Sequence, residues 1–225
     1  MLSARLAALA AVSALLLAGC AGPGTSAASP TAPAPEPESP APTAEPGLHL
    51  HPDGLGTLRL GEPVGDDDTF VRYDPGGCAD LGIAEGDPYG GFWRAAEDGQ
   101  TSADGYEILP YWIVTAGGLR DGAVEYVSMG DASITTEAGI ALGDPIEDVL
   151  AAYPGIERVV DGWASDVYAI EGDVGRLTIE VTKETILDGV SYWEPGDVGT
   201  VLVLAATTFP ATDLAGGDGG GPCPL

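Results

Sequence analysis

Apolar positions first come as a block, Leu6 to Leu17 broken only by Ser13, with Arg5 ahead of it and Ala18-Gly19-Cys20 behind. A membrane-crossing helix needs about 20 apolar residues, so a cation before this shorter run, with small residues after it, predicts a secretion signal over residues 1–19. From Ala21 to Gly47 the periodicity disappears: eight prolines stand among Ala, Ser, Thr and Glu36, Glu38 and Glu45, with no aromatic residue. Such a stretch has nothing to bury, and its prolines favour an extended spacer of roughly 3 Å per residue over a ligand for proline-binding modules. Regular patterns begin only at Leu48. The spacing Ile146, Val149, Leu150, Tyr153 predicts a helix with Asp144 as its cap, Pro145 in its first position and Glu147 three residues after the cap. Strand-like runs span 107–115, 123–129, 166–170, 176–182 and 200–208. Arg176 to Thr182 alternates strictly, which predicts one buried and one wet face, and Glu171 to Gly175 reads as a hairpin connection before it.

An eight-residue segment recurs. Thr57-Leu58-Arg59-Leu60-Gly61-Glu62-Pro63-Val64 is echoed as Gly139-Ile140-Ala141-Leu142-Gly143-Asp144-Pro145-Ile146, with six positions matched in type. A tyrosine before a Pro-Gly element follows in both copies, Tyr73 with Pro75-Gly76 and Tyr153 with Pro154-Gly155. The echo predicts an α+β fold of two tandem repeats, 48–135 and 136–225, each a short helix packed on a small antiparallel sheet. In the first copy Gly65 and Asp66-Asp67-Asp68 stand where the apolar stripe should continue, so that helix is expected to be shorter or frayed.

Two resemblances follow from these motifs. Leu17-Ala18-Gly19-Cys20 resembles the lipobox of bacterial lipoproteins, which implies diacylation of Cys20 after cleavage and residues 20–47 as a lipidated linker. The doubled Leu-Gly-acid-Pro-aliphatic entry followed by antiparallel strands is similar to the tandem-repeat fold of the β-lactamase inhibitory protein family and to the single-repeat lipoproteins of the outer-membrane assembly machinery. That resemblance implies a sheet used to bind another protein and transfers no contact residue.

Charge narrows the partners. The chain has 8 Lys+Arg against 35 Asp+Glu and a formal charge of −27; removing residues 1–19 takes away Arg5 and no acid. Nucleic acid, which must be bound by clustered cations, is excluded, and anionic lipid surfaces repel such a domain. Attachment to the outer face of a membrane is expected to come from the lipid on Cys20, two acyl chains giving the two signals that stable anchoring requires. With Cys20 acylated, Cys78 and Cys223 remain as a pair in an oxidising compartment, where a disulfide is expected in preference to free thiols or half of a metal site. It would also pin the Gly-rich C-terminal tail.

Catalytic raw material is scarce. The only histidines, His49 and His51, sit beside the linker, away from any serine elbow or phosphate loop, so no catalytic residue, cofactor or metal is assigned. His49-x-His51 offers two of the ligands a metal needs, and Asp66-Asp67-Asp68 with Glu171 and Asp173 offers carboxylates for a glycosidase pair or Ca²⁺; a solvated strand and charge run explain the same residues. Aromatic residues give the candidate surface. Tyr111 and Trp112 alternate onto opposite faces, while Phe92-Trp93, Trp163 and Tyr192-Trp193 fall in Gly/Asp-rich contexts, so Trp93, Trp163 and Trp193 are the expected binding residues. The sequence thus points to a non-enzymatic surface lipoprotein with an acidic domain for a protein or envelope component. A solute- or Ca²⁺-binding lipoprotein is the alternative.

Overall fold

The computed structural model describes residues 47–103, 105, 107–214 and 221–223; the signal block, Cys20 and nearly all of the spacer lie outside the described residues. Eight strands form one antiparallel sheet: β1 (Val71–Asp74), β2 (Phe92–Ala95), β3 (Tyr111–Thr115), β4 (Val124–Met129), β5 (Glu157–Asp161), β6 (Ser165–Glu171), β7 (Arg176–Thr182) and β8 (Val201–Thr207). Their spatial order is β5-β6-β7-β8-β4-β3-β2-β1. Two four-strand meanders therefore meet through the last strand of each, where Tyr126 lies opposite Thr207 and Ser128 opposite Ala205.

This overturns the expected α+β fold of two helix-on-sheet repeats. The protein is mostly β, and α1 (Ile146–Ala152) is the only α-helix among the described residues. It begins one residue later than its capping pattern suggested. Pro145 is the extended cap residue, with φ −71° and ψ 153°, and no side chain caps the helix. The Asp144 carboxylate instead accepts the Ala141 N–H at 2.8 Å. Val149 alone is fully buried, and Leu150, expected in the apolar stripe, is 47% exposed. At the matching place in the first copy, residues 63–69, no helix forms. Asp68 turns back to accept the Gly65 N–H and the Thr57 hydroxyl, so the aspartates make a turn instead of a helical second turn.

What the echoed motif builds is a clasp. The Gly61 N–H donates to the Val124 carbonyl and the Val124 N–H donates to Glu62, both at 2.8 Å. Gly143 and Asp144 hold Val201 in the same way at the same distances. Each motif thus fixes the first residue of the strand that closes its own meander. Both glycines stand at positive φ, 80° and 87°, a turn that L side chains rarely adopt.

One face of the sheet carries the core. Trp93, Ile113, Val127, Ile179 and Leu204 pack with Leu50, Leu55, Leu58 and Leu60 of the entering segment and with Val149 of α1. Short pairings of His49–His51, Gly54–Leu55, Leu58–Arg59 and Thr135–Thr136 form a second, four-stranded sheet. The wet face expected for β7 is also corrected, because Thr178, Glu180 and Thr182 are all buried. The chain beyond β8 lies over that face, and the Leu214 N–H donates to Glu180 Oε2 at 3.2 Å.

Candidate functional site

The loops between the third and fourth strands of the two meanders differ in length. Residues 116–123 make that turn in the first half, whereas residues 183–200 make it in the second. The longer loop folds on itself, with Ile186–Leu187 pairing antiparallel to Val190–Ser191. Asp188 and Gly189 supply the turn at φ 53° and 83°, as a two-residue hairpin with right-handed strand twist requires. The Tyr192 N–H donates to the Thr185 carbonyl at 2.8 Å and extends the ladder by one pair. Since opposed residues share a face, Leu187, Val190 and Tyr192 stand together on one side of the hairpin.

Side chains tie the hairpin to the turn between β5 and β6. Thr185 Oγ1 donates to the Trp163 carbonyl at 3.0 Å, and Trp193 Nε1 donates to the Ala164 carbonyl at 2.8 Å. The Trp163 and Tyr192 rings meet edge to face at 4.8 Å, and Tyr192 meets Trp193 at 4.7 Å. The result is an outward apolar run: Trp163 is 48%, Tyr192 42%, Leu187 54% and Val190 69% exposed.

The segment that carries the hairpin is negative. Glu184, Asp188, Glu194 and Asp197 are exposed, and residues 184–200 contain neither Lys nor Arg. The nearest cation in sequence, Lys183, is engaged by Asp161 at 2.5 Å and Asp166 at 3.2 Å. The hydrogen bond that Lys183 donates to Asp161 holds the ammonium above its ordinary range, and the same bond holds the Asp161 carboxyl below its own. Arg158 is likewise raised, first by its hydrogen bond to Asp166.

The three predicted tryptophans separate. Trp163 is exposed; Trp193 is half-buried and supports Tyr192; Trp93 is buried, edge to face with Tyr73, its Nε1 donating to the Arg120 carbonyl. Trp93 thus belongs to the core and is no part of a surface. Tyr111 and Trp112 do fall on opposite faces, the first buried and the second half-buried. Leu187 and Val190 were missed as candidates, although Asp-Gly between Ile186-Leu187 and Val190-Ser191 is the sequence signal of this hairpin.

The other candidates resolve into structural roles. Cys78 is bonded to Cys223, as the cysteine count led one to expect, while Cys20 lies outside the described residues. His49 bonds the Thr135 hydroxyl and His51 meets the Arg59 guanidinium, and no group of three metal-ligating side chains occurs among the described residues. Glu171 pairs with Arg176 at 3.4 Å. The carboxylates that do converge were not anticipated: Glu180 and Asp213 both contact the Ser165 hydroxyl, and Asp213 also accepts the Trp163 N–H at 3.1 Å. Glu180 is fully buried, so this arrangement fastens the chain after β8 to the sheet and offers no open site for a substrate. No helix among the described residues is long and apolar enough to cross a membrane.

Set beside known proteins, the chain matches no family model, no curated protein and no solved structure.

Proposed function

We propose that this chain is a lipid-anchored protein of the outer face of the cell membrane that binds a partner protein through the Trp163-Tyr192 end of its sheet, without catalysing a reaction. One observation carries the reading: Tyr192, Leu187 and Val190 stand exposed on one side of a hairpin, Tyr192 meets the exposed Trp163 edge to face, and Thr185 and Trp193 bond the hairpin to the backbone of residues 163 and 164. Exposed apolar surface lowers solubility, and a rigidly supported aromatic patch with a polar rim is the usual anatomy of an interaction surface. The lipobox and the proline-rich spacer support the location, placing such a surface at some distance from the lipid.

The test is made in the producing cell with the full-length chain. A photo-crosslinking residue replaces Leu187 in one version and the exposed Glu97 in another. The expected result is a discrete adduct at 187 only, with fatty-acid label incorporated and lost on Cys20→Ser. No adduct at 187, or the same adducts at both positions, overturns the binding surface; unchanged label in Cys20→Ser overturns the anchor.

A further inference from the structure

The apolar run and the charges around it are complementary to one kind of partner. A protein carrying −27 overall repels acidic partners at long range, and the exposed segment 184–200 has four carboxylates and no Lys or Arg. Lys183 adds no free positive charge to it, being held between Asp161 and Asp166. The apolar groups, by contrast, are open to solvent: Leu187 and Val190 occupy the exposed hairpin end on the same side as Tyr192, which leans on Trp163. An exposed apolar run on a segment whose only charges are carboxylates fits a ligand with an apolar stripe flanked by ammonium or guanidinium groups. A bilayer fits less well, since anionic headgroups would meet the four carboxylates.

Resting on the binding reading above, we propose that the partner class is a cationic amphipathic polypeptide, its apolar stripe lying on Trp163, Tyr192, Leu187 and Val190 and its cations drawn by the carboxylates of the same segment, Asp188, Glu194 and Asp197. The carboxylates raise the rate of encounter and fix polarity, and the apolar run supplies the contact area. The hairpin's anchoring to Ala164 and Trp163 keeps the apolar side chains presented before the ligand arrives, so little ordering has to be done on binding.

The experiment uses the mature chain from residue 20 with Cys20→Ser, so that only the anchor is removed. The probes are a synthetic Leu/Lys amphipathic helix without Trp or Tyr, the same peptide with Glu for Lys, a scrambled Leu/Lys peptide of equal charge lacking an apolar stripe, and neutral phosphatidylcholine vesicles. Binding is read by the blue shift of the protein's tryptophan emission and by calorimetry. The amphipathic Lys peptide is expected to bind at least about tenfold tighter than either control peptide, and to weaken severalfold when salt rises from about 50 to about 300 mM. Leu187→Asp and Val190→Asp, both at exposed hairpin positions, are each expected to weaken it about tenfold. Equal binding of the Glu or scrambled peptide, unchanged affinity in both variants, vesicle binding that the variants abolish, or no peptide binding at all overturns the proposal. A specific crosslink at 187 together with no peptide binding leaves the protein-binding reading standing and removes only the cationic partner.

Discussion

The indole N–H of Trp193 donates to the carbonyl of Ala164 at 2.8 Å. This bond joins the long loop after β7 to the short turn before β6, and it separates the roles of two neighbouring tryptophans. Trp193 turns inward to make it, and Tyr192 then lies between the Trp193 and Trp163 rings. Trp193→Phe keeps most of the ring area but removes one of the two donors to the Ala164 carbonyl, the Lys183 N–H at 3.1 Å remaining, a loss of about 1 kcal/mol. The expected outcome is a lowered urea midpoint with altered near-ultraviolet circular dichroism from the loosened Tyr192, whereas Trp163→Phe, which leaves this bond in place, changes the midpoint little. Equal midpoints for both variants would show that the bond does not hold the hairpin.

The clasp formed by the echoed motif makes a paired prediction. A Cβ at Gly143 would meet nothing within 4 Å, whereas one at Gly61 would come 3.2 Å from Val174. Gly143→Ala therefore costs only the strain of positive φ, about 1 kcal/mol, and Gly61→Ala costs that and a contact besides. Asn tolerates the left-handed region better, so Gly143→Asn should recover part of the loss. Chemical denaturation of the three variants measures the ordering, and an Ala at 143 without cost would remove the conformational explanation.

These two cases show what was legible in the chain. The recurrence of Leu-Gly-acid-Pro was visible, and it marks equivalent places in the two meanders, but its helix-entry pattern suggested the wrong element. Seven residues of helix with one fully buried side chain are too few to organise a layer, and at Gly65 to Asp68 side-chain acceptors favour a turn. Strands β3, β4, β6, β7 and β8 were readable because Val, Ile and Thr recur there. Strand β2 was hidden since Phe92-Trp93-Arg94-Ala95 is buried throughout and shows no alternation, and β5 because the register shifts between Arg158 and Val160. The buried face of β7 could not be foreseen from alternation, which reports side-chain polarity and not what lies above it. In the candidate site, Trp163 was visible as an aromatic residue in a loop. The fate of Trp93 depended on pairing opposite Ile113, a non-local fact.

The disulfide closes a loop between residues 145 apart, from a fully buried Cys78 to the end of the chain. Restricting so long a loop in the unfolded chain stabilises the fold by up to about 5 kcal/mol in the chain-entropy account, less where the unfolded chain retains structure. Cys223→Ser is expected to lose about 2–4 kcal/mol by denaturant titration, and reduction of the native protein should reproduce that loss. If reductant left the midpoint of the native protein unchanged, the bond would only be tethering the tail.

Alkaline stability should fall in a window set by buried phenols. Burial raises Tyr73, Tyr111, Tyr126, Tyr153 and Tyr168, most clearly Tyr111, which is pushed up to about 12. Its hydroxyl donates to the Phe70 carbonyl at 2.7 Å, a bond that the phenolate cannot make. A phenol whose pKa is higher in the folded state than in the unfolded chain holds its proton more tightly when folded. Its contribution is therefore complete below about pH 10, the unfolded value, and is lost as pH rises toward about 12. Denaturant midpoints should be flat from about pH 7 to 9 as far as the tyrosines are concerned, then drop steeply, with tyrosinate absorbance appearing together with unfolding. Tyr111→Phe removes one ionising group and one hydrogen bond, so it should lower stability near neutral pH by about 1 kcal/mol and make the alkaline decline shallower. A wild-type protein whose tyrosines all ionised near pH 10 without loss of structure would show that these phenols are not held in the interior of the sheet.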